Sequence, residues 1–84
     1  LPKQIKLVWE KQKEGEKVAI YIKLDNGSYR EIKRISGKQN NCIIQLTPYA
    51  NYQKCCFKIR SYYEKDGVRI WSKYSKEIPL KKSN

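Results

Sequence analysis

The chemistry available to this chain lies in its charged, aromatic and sulfur-bearing side chains. It has 19 Lys and Arg against 8 Asp and Glu, a formal net charge of +11 over 84 residues. A surface this basic favours polyanions such as nucleic acid, heparin-like sugars, teichoic acids or anionic lipid heads. Lys is also spread through nearly every segment, as an AT-rich coding bias would produce. There is no His, so triads built on His are excluded and a zinc site has almost no ligands. The acidic residues fall in expected loops, strand ends and outward positions, and the pattern converges no pair of them in a pocket. We therefore expect no catalytic residues, metal or cofactor. The cysteines are Cys42, Cys55 and Cys56. A bridge from Cys42 to Cys55 or Cys56 is the less favoured reading, because facing sheets lie ~10 Å apart. Buried free thiols acting as small hydrophobes are the expected state.

The stretch around which the chain is organised, Leu46 to Ser75, reads as a turn, a long strand, a tight hairpin tip and a second strand. From Lys54 to Glu64 the residues alternate. Cys55, Phe57, Ile59 and Ser61 share one face, and Cys56, Lys58, Arg60 and Tyr62 share the other. Such alternation predicts a strand. Lys65-Asp66-Gly67 closes a hairpin tip, and Val68 to Leu80 returns as a last strand with Pro79 at a sheet edge. We place the candidate binding residues on the outward face of this hairpin: Lys58, Arg60, Tyr62, Arg69, Trp71, Lys73 and Tyr74.

The elements that must position these residues are strands as well. Ile5, Leu7 and Trp9 alternate within 5–10, and 18–24 is rich in β-branched and aromatic residues. Asp25-Asn26-Gly27-Ser28 reads as an Asn-Gly hairpin turn, and Asn26-Gly27-Ser28 is also a glycosylation sequon. Residues 29–35 return as a strand anchored by Tyr29 and Ile32. The segments 11–17 and 36–41 are polar loops. Cys42, Ile44 and Leu46 form one face of a further strand that Thr47-Pro48 ends. Short strands with regularly spaced turn signals predict one all-β sandwich domain over 1–84. No apolar run approaches the ~20 residues that span a bilayer, so no membrane insertion is expected within the segment. The chain starts at Leu1 and contains no Met, and we read it as an excised piece of a larger multidomain protein.

Trp9, the turn Leu46-Thr47-Pro48 and the strand Phe57-Lys58-Ile59-Arg60-Ser61 resemble the core Trp, the turn and the core strand of a fibronectin type III domain. The 20–32 hairpin resembles modules of Gram-positive surface proteins. The resemblance implies a seven-stranded immunoglobulin-like sandwich with sheets A-B-E and C′-C-F-G, the first strand being shortened around Leu1 and Pro2. It makes Trp9, Leu46, Pro48, Tyr52, Phe57 and Ile59 structural. The family places Phe two residues after a corner Tyr, whereas Tyr52 and Phe57 are further apart. Either 54–56 is an insertion, with the Tyr52 hydroxyl bonding upstream backbone, or Cys55 takes the Tyr position. We place the corner at Tyr52. Trp71-Ser72-Lys73-Tyr74-Ser75 resembles the WSxWS motif of cytokine receptors, which implies rings interleaved with Lys58 and Arg60.

These resemblances imply a non-catalytic spacer or a protein-interaction and adhesion module of a surface or secreted protein, extracellular or on the cell surface, with a protein as its partner. Buried free thiols would also suit an intracellular setting. A second reading is a polyanion-binding module using Lys23, Arg30, Lys33, Lys58, Arg60, Arg69 and Lys73 among Tyr21, Tyr62, Trp71 and Tyr74. A third is a cytokine-receptor-like extracellular domain.

Overall fold

The computed structural model describes residues 2–81. Its strands are β1 (Gln4–Val8), β2 (Lys17–Leu24), β3 (Arg30–Ser36), β4 (Asn41–Gln45), β5 (Lys54–Lys65), β6 (Val68–Trp71) and β7 (Ile78–Lys81). A 3-10 turn, Thr47–Tyr49, carries Pro48 in its first turn, where the missing N–H of proline costs nothing. Among the described residues no helix is long and apolar enough to cross a membrane.

The strands form two antiparallel sheets, an arrangement compatible with a β-sandwich. One holds β1 and β4, and the other runs β3-β2-β5-β6 with β7 also paired to β5. Among the described residues no strand precedes Gln4, so the first sheet has two strands where the resemblance implies three. Leu1 lies outside the described residues. The Lys3 carbonyl still accepts from the Leu46 amide at 2.8 Å, extending the β1–β4 pairing.

Strand parity builds the core. Leu7 stands opposite Cys42, and Ile22 stands opposite Phe57. Leu7, Ile20, Ile22, Cys42, Ile44, Leu46, Cys55 and Phe57 are buried together, with Ile5, Trp9, Tyr49 and Ile59 packed against them. Each fully buried aliphatic or aromatic side chain contributes roughly 1.5–3 kcal/mol. All three cysteines are buried and free, and burial pushes the Cys55 thiol pKa up.

One hairpin turn follows the sequence expectation and one departs from it. At the tip 65–68, Asp66 and Gly67 both adopt positive φ (53° and 77°), as an Asp-Gly hairpin turn requires. At the β2–β3 connection the positive φ falls on Asp25 (48°), not on Asn26 or Gly27. The Asp25 amide donates to the Lys54 carbonyl, and its Oδ1 accepts from the amides of Gln53 and Lys54. This tether fixes Asp25 against β5 and forces the chain to turn there.

Tyr52 is not the corner. It is 38% exposed, and among the described residues its hydroxyl makes no hydrogen bond. Its amide bonds the Tyr49 carbonyl in the turn, at 3.1 Å, which directs the side chain to the surface. The buried position two residues before Phe57 belongs to Cys55.

A ladder of cations and rings as candidate functional site

The predicted last strand, 68–80, is interrupted. β6 ends at Trp71, β7 starts at Ile78, and 72–77 is irregular. Two serines stitch this break to β5. The Ser72 amide donates to the Ser61 carbonyl at 2.8 Å, and the Ser61 amide donates to Ser72 Oγ at 2.9 Å. The Ser75 amide donates to the Ile59 carbonyl at 2.7 Å, and the Ile59 amide donates to Ser75 Oγ at 3.0 Å. A hydroxyl thus takes the place of a backbone carbonyl twice, and the edge of β5 keeps its hydrogen bonds without a regular partner strand.

This stitched backbone lets Trp71 and Tyr74 lie over the outward face of β5. Lys58 and Arg60 are two residues apart on that face, with a pitch of roughly 3.4 Å per residue. The rings and cations then alternate. Lys58 Nζ lies 4.0 Å from the Tyr29 ring and 3.7 Å from the Tyr74 ring. The Arg60 guanidinium lies 4.5 Å from Tyr74 and 3.7 Å from Trp71. Beyond Trp71 the Tyr62 ring follows at 4.6 Å. Arg34 and Arg69 then stand over Tyr62 at 5.3 and 4.6 Å. At the other end Lys23 lies 5.1 Å from Tyr29. Tyr21 meets Tyr74 edge-on at 5.3 Å, and its hydroxyl accepts from Arg60 Nε at 3.0 Å.

Carboxylates tie off both ends. Glu77 accepts from the Tyr29 hydroxyl at 2.7 Å and pairs with Lys23 at 3.8 Å. Burial, followed by the hydrogen bond to Glu77, raises the Tyr29 pKa. That same bond, followed by the charge of Lys23, lowers the Glu77 pKa. Arg34 Nε donates to Glu31 at 2.7 Å and Arg69 Nη2 to Glu64 at 3.2 Å.

Of the candidate binding residues, Lys58, Arg60, Tyr62, Arg69, Trp71 and Tyr74 come together in this ladder. Tyr62 is its floor: only 3% exposed, it has no face left for a ligand. Lys73 does not join the stack, although it lines a recess with Trp9, Gln12, Arg60 and Tyr74. Among the described residues it makes no ion pair or ring contact. Arg30 and Lys33 register with Ile22 and Ile20, both core residues, so they do not extend the ladder. Arg30 instead lines a hollow with Ile22, Leu24 and Tyr52 on the core-facing side.

Arg34 and Tyr29 are members that sequence reasoning missed. Arg34 registers with Ala19, on the same side as Tyr21 and Arg60, because the β2–β3 register shifts between Ile20 and Tyr21. No local pattern marks such a bulge. Among the structural residues, Leu46 and Phe57 are buried and Trp9 and Ile59 pack on the core. Trp9 Nε1 donates to the Gln39 carbonyl at 3.1 Å.

The carboxylates also differ from expectation. Glu14 and Glu16 share an open cleft of about 600 Å³ with Lys17, Arg34, Lys38, Tyr62 and Arg69. Among the described residues no three Cys, Asp or Glu side chains gather as a metal site.

Compared with models of protein families, with curated proteins and with solved structures, the chain has no match.

Proposed function

We propose that the chain is a non-catalytic interaction module of fibronectin type III kind, carried by a larger surface or secreted protein. On this reading β1 and β4 are strands B and E. β3, β2 and β5 are C′, C and F, and β6 with β7 is a broken G. The order β3-β2-β5-β6 supports that assignment, as does the burial of Phe57 opposite Ile22. The ladder carries the functional reading. Rigid sheets with fixed cations are suited to present a contact surface. Packing on aromatic faces leaves the in-plane N–H groups of a guanidinium free to donate. A protein partner with acidic side chains fits that chemistry.

Exchanging residues 4–81 of the parent protein for an unrelated sandwich of equal length tests this. Loss of partner binding, reproduced by Lys58→Gln in the intact domain, supports an interaction module. Full retention reduces the segment to a spacer.

The second reading, a polyanion-binding module, is favoured by one observation: Lys58, Arg60, Arg34 and Arg69 line up along a single sheet face. The aromatic faces are taken up by cations, so contact would be with backbone charge and not by base stacking. Binding to heparin or single-stranded DNA that weakens as salt rises supports it. No binding at low salt removes it.

A further inference from the structure

One end of the ladder opens into a cleft lined by Arg34, Tyr62 and Arg69. Arg34 comes from β3 and Arg69 from β6, strands on opposite edges of the sheet. Both reach the same two rings, standing 5.3 and 4.6 Å from Tyr62 and 6.0 and 5.7 Å from Trp71. Tyr62 is buried beneath them, and the two arginine side chains keep 41% and 39% of their surface exposed. Lys17 and Lys38 line the same cleft of about 600 Å³.

Four cations therefore face one space. Glu31 engages only Nε of Arg34, and Glu64 engages only Nη2 of Arg69. Arg34 Nη1 donates to the Tyr62 hydroxyl at 3.3 Å, which fixes the plane of its fork. Donors remain free on both guanidinium groups. Glu14 and Glu16, which also line the cleft, offset part of the charge. They disfavour a long polyanion here more than a small, compact one.

We propose that this cleft binds a single tetrahedral oxyanion, the phosphate or sulfate group of a monoester, held between Arg34 and Arg69 with Lys17 and Lys38 at the rim. Two arginine forks preorganised on an aromatic floor match the several acceptor oxygens of such a group. The inference deepens the polyanion reading by naming one site and one charged group, and it rests on that reading of the face as anion-binding.

The test is an NMR titration of the isotope-labelled domain at low salt with phenyl phosphate and, separately, phenyl sulfate. The expected result is saturable shifts of the Arg34 and Arg69 Nε–H signals and of amides lining the cleft. The tighter of the two esters identifies the source of the group. Arg34→Gln and Arg69→Gln should each weaken binding by about tenfold or more, and Lys73→Gln, outside the cleft, should not. If either arginine variant fails to fold, Lys38→Gln at the rim should still weaken binding severalfold. Shifts that are linear and scattered over all lysines overturn the site. Heparin binding without a saturable cleft response overturns the site while leaving the polyanion reading in place. Absence of both removes both.

Discussion

The guanidinium of Arg60 lies 3.7 Å from the ring centroid of Trp71, while its Nε donates to the hydroxyl of Tyr21 at 3.0 Å. Three strands or their extensions meet at this one side chain: β5 supplies the cation, β2 the acceptor and the end of β6 the ring. Arg60 also faces Tyr74 at 4.5 Å. Arg60→Ala is expected to cost about 2 kcal/mol, since a partly desolvated cation–π contact carries that much. Arg60→Lys recovers only part of it, because an ammonium cannot stack. Urea unfolding checks the order: a Lys variant as stable as the Arg60 protein would mean that charge alone matters, and Ala and Lys variants of equal stability would mean that charge contributes nothing.

The serine stitches lead to a residue-specific expectation. Ser72→Ala leaves the Ser61 amide without the acceptor it has at 2.9 Å. The expected loss is about 1–2 kcal/mol. Amide hydrogen exchange should speed up at Ser61, with Ile59 still protected by Ser75. Ser75→Ala should reverse the pattern. Uniform acceleration in both variants would show that the hydroxyls do not act as local acceptors.

The Tyr29–Glu77 pair sets a pH dependence at both ends. The folded-state pKa of Tyr29 is raised by burial and by Glu77. Its contribution is fully present below the ordinary tyrosine pKa of about 10 and is lost as pH rises through the folded value. The folded-state pKa of Glu77 is lowered by Tyr29 and Lys23. Its contribution is present above the ordinary carboxylate pKa of about 4.3 and is lost as pH falls through the folded value. Denaturation midpoints from about pH 3 to about pH 11 should therefore show a plateau with two shoulders. Tyr29→Phe should make the alkaline one shallower, leaving the part that the raised pKa values of Tyr21 and Cys55 contribute. An unchanged alkaline slope would contradict the assignment.

Gly37 packs against backbone. A Cβ there would collide with the Glu16 carbonyl, which accepts from the Gly37 amide at 2.8 Å, while the Gly37 carbonyl accepts from Gln12 at 3.2 Å. Gly37→Ala is expected to destabilise by about 1–3 kcal/mol, since the 11–16 loop must move away. Gly15, whose added Cβ would meet nothing within 4 Å but whose φ is +85°, should cost about 1 kcal/mol on the same change. Thermal unfolding of the two variants separates a packing clash from backbone strain.

The sequence reveals the core better than the ladder, for physical reasons. Inward parity at Leu7, Cys42, Ile44 and Phe57 is legible because a buried face must be apolar at every second position. The Asp66-Gly67 tip is legible because few residues adopt positive φ. Lys58 and Arg60 could be placed beside Trp71 and Tyr74 from alternation and the WSKYS resemblance. Arg34 could not, since a one-residue bulge in β3 decides whether Lys33 or Arg34 joins. The break at 72–77 was hidden because serine hydroxyls replace backbone acceptors without changing composition. Tyr52 misled because the Asp25 tether to Gln53 and Lys54, made across the fold, sets where β5 begins.

The interleaving of Lys58 and Arg60 with Tyr29, Tyr74 and Trp71 underlies the interaction reading. Proton chemical shifts test it most directly. Side-chain protons of Lys58 and Arg60 held over ring faces should move far upfield of their random-coil positions. Trp71→Ala should return those of Arg60 towards normal while leaving those of Lys58 over Tyr29 and Tyr74. Random-coil shifts for both side chains in the folded domain would contradict the ladder.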